Sequence, residues 1–185
     1  MKRLVAALVF LAPAALADGL PFPVAIGGSF LLTDQFGETR SERDPAGHPQ
    51  LLFFGYANCE AICSVALPQM AEIEAALDRK GIALTPVMIT VDPARDTVKT
   101  LAEPLARLSP DFIGLTGEDA ALASAYKAFS IENTVVFEDP AGGKIYAHGS
   151  FLYLLDSEGR LLTVLPPILS TERMVEVIEG YVTAG

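Results

Sequence analysis

Residues 51–81 read LLFFGYANCEAICSVALPQMAEIEAALDRKG, and the fold is decided in this stretch. Leu51 to Tyr56 is an unbroken apolar run of strand length, the pattern of a strand buried on both faces. Beyond it the period changes. Val65, Leu67, Met70, Ile73, Ala76 and Leu77 approximate one face of a helix over residues 63–80, and Gly81 stops it. Pro68 falls inside this helix, so the helix either begins near it or is kinked there.

The same alternation continues downstream. Pro86 to Val91 is a second buried strand, Thr97 to Leu108 a helix interrupted by Pro104, Phe112 to Leu115 a short strand, and Glu118 to Phe129 an Ala-rich helix. Upstream, Gly28 to Gly37 is a short strand running into a turn at Asp34–Gly37, followed by loop chemistry from Asp44 to Pro49. Toward the C-terminus, Thr134–Phe137 and Lys144–Ala147 flank one turn, and Phe151–Leu155 and Leu161–Leu165 flank another, which predicts two hairpins. A final helix spans Thr171 to Val182, with Ser170 or Thr171 as its N-cap. The predicted class is α/β: a central sheet with helices on both faces, made mixed by the late hairpins. No repeat or low-complexity linker interrupts residues 18–185, which read as one domain.

Composition excludes several functions. The chain has 185 residues, a formal charge of −10 and a pI near 4.6, which argues against nucleic-acid binding. At 51% hydrophobic and 19% charged it is not a disordered chain. Two cysteines cannot build a disulfide scaffold, and two histidines exclude an imidazole-rich site. The N-terminus is basic at Lys2 and Arg3, apolar from Leu4 to Leu16, and carries the A-x-A pattern Ala15-Leu16-Ala17. Residues 1–17 are therefore expected to be a cleaved secretory signal; the alternative is a membrane anchor formed by residues 4–16. Loss of Lys2 and Arg3 takes the formal charge from −10 to −12. Export to an oxidising compartment such as a periplasm permits a disulfide.

The two cysteines, Cys59 and Cys63, lie between the buried strand and the helix. A helix N-terminus stabilises thiolate, which is both a nucleophile and a soft metal ligand. The competing reading is a structural disulfide, which would close so short a loop that it contributes little. His48, in a Pro/Gly loop, is expected to be solvated. His148, in Tyr146-Ala147-His148-Gly149-Ser150, is the candidate third ligand. Two thiolates and an imidazole suit copper; zinc is the rival, but no fourth cysteine or histidine completes a closed site. Glu60, Asp92 or Asp96 could add a carboxylate. In Thr90-Val91-Asp92-Pro93-Ala94-Arg95-Asp96, at the carboxyl end of the second buried strand, Asp96 is expected to cap the helix from Thr97. Met70, Met88 and Met174 fall on apolar faces and read as core.

Four ordered segments resemble the Sco/SenC family of thioredoxin-like, copper-binding assembly factors of cytochrome c oxidase. They are Phe54 to Cys63, Ile89 to Thr97, Phe112 to Gly117 and His148 to Asp156. The resemblance implies copper ligation by Cys59, Cys63 and His148, with Asp92 and Asp96 bordering the site and Asp96 the better candidate for supporting it. It also implies copper transfer to a respiratory oxidase subunit, gated by the redox state of the cysteine pair. Thiol-disulfide reduction of a partner's copper-site cysteines is the alternative. A second copper chaperone or a thioredoxin-like reductant are further expected partners, and the chain is expected to be monomeric. It departs from the family pattern at Asn58, Glu60, Ala147 and the inserted Gly149. Glu60 beside two thiolates disfavours their ionisation.

Overall fold

The computed structural model describes residues 26–57, 63–140 and 143–183. The expected signal segment, the turn residues Ala141 and Gly142, and Asn58 to Ile62 lie outside the described residues. All of β3 (Gln50–Gly55) is buried, as its unbroken apolar pattern requires. It feeds α1 (Cys63–Asp78), which returns to β4 (Thr85–Thr90). Pro68 lies inside α1, giving up one helical N–H.

The remaining elements in chain order are β1 (Leu31–Asp34) and β2 (Thr39–Ser41) before β3, then α2 (Val98–Ala106), β5 (Ile113–Thr116) and α3 (Asp119–Ala128). They are followed by β6 (Thr134–Asp139), β7 (Gly143–Ala147), β8 (Leu152–Leu155), β9 (Leu161–Leu165) and α4 (Thr171–Val182). Seven strands form one sheet in the order β2-β1-β5-β4-β3-β8-β9. β3, β4 and β5 are parallel, while β1 and β8 run antiparallel to their neighbours β5 and β3, so the sheet is mixed as expected. Among the described residues, β6 and β7 pair only with each other and form a separate ribbon. This corrects the expectation that both late hairpins join the sheet. The short strand β2 also went unpredicted, because Thr39-Arg40-Ser41 carries no apolar alternation.

The crossovers β3–α1–β4 and β4–α2–β5 step the same way across the sheet, so right-handedness puts α1 and α2 on one face. Phe53, Met88 and Gly114 lie in one row on that face. Gly114 has no side chain because Leu105 of α2 fills the space: a Cβ there would stand 2.3 Å from Leu105 Cδ1. α4 packs against α1. Phe54 points the opposite way and meets Phe129, just past α3, and Tyr153 of β8 at ring-centroid distances of 5.4 and 6.0 Å. Met70, Met88 and Met174 are fully buried, as their apolar faces predicted.

Two turns use one device. Asp34 Oδ1 accepts the N–H groups of Phe36 and Glu38, both at 2.9 Å, and its other oxygen pairs with Arg40 at 3.0 Å. Asp156 Oδ1 accepts the N–H groups of Glu158 and Arg160, both at 2.9 Å, and Oδ2 pairs with Arg160 Nε at 2.7 Å. Ser170 caps α4 by accepting from the Arg173 N–H at 3.3 Å.

Burial pushes the Asp156 carboxyl up, but the N–H and guanidinium of Arg160 and the N–H of Glu158 together outweigh it and hold it below the ordinary carboxylate range. Asp156→Ala is expected to cost about 1–2 kcal/mol at neutral pH, mostly from lost backbone hydrogen bonds, because Arg160 is 79% exposed and its charge is screened. A depressed folded pKa stabilises above the unfolded value of about 4 and loses that contribution as pH falls through the folded one. The gap between wild type and variant in urea unfolding should therefore narrow on acidification.

Candidate metal site

Ligand sites in open α/β sheets gather at the carboxyl ends of parallel strands. Here β3 ends at Gly55 and β4 at Thr90, and the Val91 N–H donates to Gly55 O at 2.8 Å. Asp96 binds these two exits together. It is 1% exposed, and its Oδ2 accepts from the Thr90 hydroxyl at 2.8 Å and from the Ala57 N–H at 3.0 Å. Ala57 stands two residues before Cys59.

The expected N-cap role of Asp96 is thereby corrected. Thr97 caps α2, with its N–H donating to Thr100 Oγ1 at 2.8 Å. The Asp96 side chain faces inward, where two donors would otherwise be buried without a partner. Burial raises its pKa above the ordinary value and Asp92 adds to the rise, against the hydrogen bonds from Thr90 and Ala57.

Asp92 is 2% exposed and pairs with Arg95 Nε through one oxygen. Its other oxygen accepts the Tyr146 hydroxyl at 3.3 Å, and its N–H donates to Thr90 Oγ1 at 2.9 Å. Tyr146 lies on β7, and His148 follows one residue after that strand ends. The half-buried imidazole packs edge-on against Phe53 and Tyr56 of the β3 segment, at 5.8 and 5.7 Å between ring centroids. Its Nδ1 is 3.1 Å from the carbonyl of Gly149, the inserted residue. Burial pulls its pKa below the ordinary value, against hydrogen bonds to the backbone at Gly149 and Phe54. A neutral imidazole is the form that ligates metal.

The structure therefore brings His148, Asp92 and Asp96 to the strand exits that lead to the cysteines. Cys63 opens α1, placing its backbone at a helix N-terminus as predicted. Cys59 and Glu60 lie outside the described residues. Among the described residues, no three His, Cys, Asp or Glu side chains are grouped to hold a metal. His48 stands two residues before β3, at the opposite end of the strand, and takes no part in the site.

Sequence reasoning gave no role to Tyr56, Arg95 or Tyr146. The signal was present, since Arg95 lies between the two aspartates and Tyr146 two residues before His148. Their convergence depends on the hairpin folding back toward β4.

The SCO1/SenC family model matches residues 19–183. The chain belongs to this family. It is 35% identical over 158 residues to a SCO2-like protein of Rickettsia felis, covering 85% of this chain and 77% of that one. It is 32% identical to the mitochondrial protein SCO1 of Saccharomyces cerevisiae, covering 86% of this chain and 56% of the relative. Among solved structures it resembles copper-bound Arabidopsis thaliana ScoI, with a TM-score of 0.81, 25% identity and coverage of 87% of this chain and 100% of that one. Yeast Sco1 with copper bound gives a TM-score of 0.79 and 31% identity over 87% of this chain and 90% of that one. The fold of this SCO1/SenC chain is thus thioredoxin-like, as its motifs implied.

Asp96→Ala should leave the Ala57 N–H and the Thr90 hydroxyl buried without an acceptor. The expected cost is about 1–3 kcal/mol by urea unfolding, with faster amide exchange at Ala57. A variant as stable as wild type would mean that the carboxylate does not hold the β3 exit.

Proposed function

We propose that this chain is an exported copper-binding assembly factor. Cys59 and Cys63 as thiolates and His148 as a neutral imidazole hold copper, which is passed to a copper-accepting subunit of a respiratory oxidase. Copper is cargo here. The observation that carries the reading is the placement of His148 against Phe53 and Tyr56, on the segment that leads to Cys59, with α1 opening at Cys63. Family membership and the copper-bound relatives support it. The donor set fits the metal: two thiolates and one imidazole are soft and suit Cu(I), and a further donor would accommodate Cu(II).

Oxidation of the pair to a disulfide removes both thiolates, so metal binding follows the redox state of the compartment. Export through residues 1–17 places the protein in the periplasm, where such oxidation occurs. Among the described residues, no helix is long and apolar enough to cross a membrane.

A second reading is thiol-disulfide reduction of the partner's copper-site cysteines. It is favoured by the start of α1 at Cys63, because a helix N-terminus lowers a thiol pKa. A reductase does not need His148.

Titration of the reduced protein should show stoichiometric copper binding, and His148→Ala should weaken it by roughly tenfold or more. Absence of binding, or an unchanged affinity in the variant, overturns the copper reading. A Cys59→Ser variant that still matures the partner when copper is abundant counts against reduction as the main task.

A further inference from the structure

Among the described residues, the ribbon that leads into His148 shares no ladder with the seven-stranded sheet. His148 is tied to the sheet on its C-terminal side through β8, and its ring bonds to the Phe54 backbone, but on the ribbon side its place is set by side-chain contacts. One side chain makes several of them. Arg95 Nη2 donates to the Lys144 carbonyl on β7 at 2.6 Å. Its Nε pairs with the buried Asp92 carboxylate, and its Cζ lies 5.5 Å from the centre of the Tyr56 ring. Asp92 holds the ribbon a second time through Tyr146. The Tyr146 and His148 rings both pack edge-on against Tyr56, at 5.8 and 5.7 Å. The ribbon also leaves room for the guanidinium: Gly143 has φ +80°, and a Cβ there would come within 3.0 Å of Arg95 Nη1.

Resting on the copper reading, we infer that Arg95 is the positioning residue of the site. Its guanidinium clips the β6–β7 ribbon to the loop after β4 and over Tyr56, and so steers the backbone that carries His148 at the β3 exit. The chemistry calls for arginine. A planar fork can pair with a carboxylate, donate to a carbonyl and lie over a ring at once, whereas a lysine ammonium is a point charge on a flexible stem. Without the clip the ribbon is held by fewer contacts, and the backbone leading into His148 moves more. Arg95 itself supplies no metal ligand, being a donor-only cation.

Arg95→Lys in the full chain tests this with and without metal. In metal-free protein, amide exchange across residues 143–147 should quicken by about tenfold, and the His148 ring resonances should shift or broaden. The urea midpoint should barely move, because the buried β3–α1 core is untouched. With copper, affinity should fall roughly tenfold and the Cu(II) charge-transfer and paramagnetic-resonance spectra should change. In a His148→Ala background the same substitution should change those spectra no further. Wild-type exchange and ring signals in Arg95→Lys overturn the clip. An equal spectral change without His148 overturns it too, since Arg95 would then act by another route. If the wild-type chain binds no copper, the copper reading fails, and the metal-free measurements still decide the role of Arg95.

Discussion

The Asp96 carboxylate, turned inward onto the Ala57 N–H and the Thr90 hydroxyl, binds the exits of two parallel strands to each other. A carboxylate this deeply buried is costly unless its oxygens are satisfied. Its partners are correspondingly specific: one backbone donor beyond β3 and one side-chain donor at the end of β4. Thr116 adds a third tie from β5, donating to the Asp96 carbonyl at 2.7 Å. The ends of β3, β4 and β5 are thereby held in one arrangement. The chain that leaves β3 toward the cysteines starts from a fixed point.

Around that point the site is built from two kinds of structure. One half rests on buried parallel strands whose ladders and packing are shared with the core. The other half is a two-stranded ribbon with exposed Val135, Val136, Phe137 and Ile145, attached through Arg95, Asp92, Tyr146 and ring contacts. Elements held by side chains open at lower free energy than strands inside a sheet. For a protein proposed to take up copper and give it away, a histidine that follows the ribbon joins the firm placement of the strand exits to an element that can yield.

Local signals in the sequence were legible where physics is local. The apolar run at Leu51–Tyr56 gave β3 within one residue at each end, because burial on both faces makes the strand continuously apolar past Gln50. The turns at Asp34 and Asp156 and the Ser170 cap were readable because short side chains bond to backbone a few residues away. The reading of Asp96 as a helix cap failed for the same reason, while the resemblance had set it beside the site. Next to a helix start, a cap is the local solution, and only the approach of Ala57, 39 residues away, offers its carboxylate a better partner. β2 was missed, and the expected β6–β7 hairpin was assigned to the main sheet, because pairing partners are not written into a single strand.

By itself the sequence determined the α/β alternation, the buried strand leading to Cys59 and Cys63, the family motifs and the candidate ligand His148. Periodicity, spacing and residue chemistry are properties of the chain. Only the tertiary structure decided that Asp96 serves the β3 exit and not the helix, and that Arg95, Tyr146 and His148 gather around Tyr56. Those roles arise from donors and acceptors brought together across long stretches of sequence. Burial then makes each of them find a partner, and no local pattern records which partner that is.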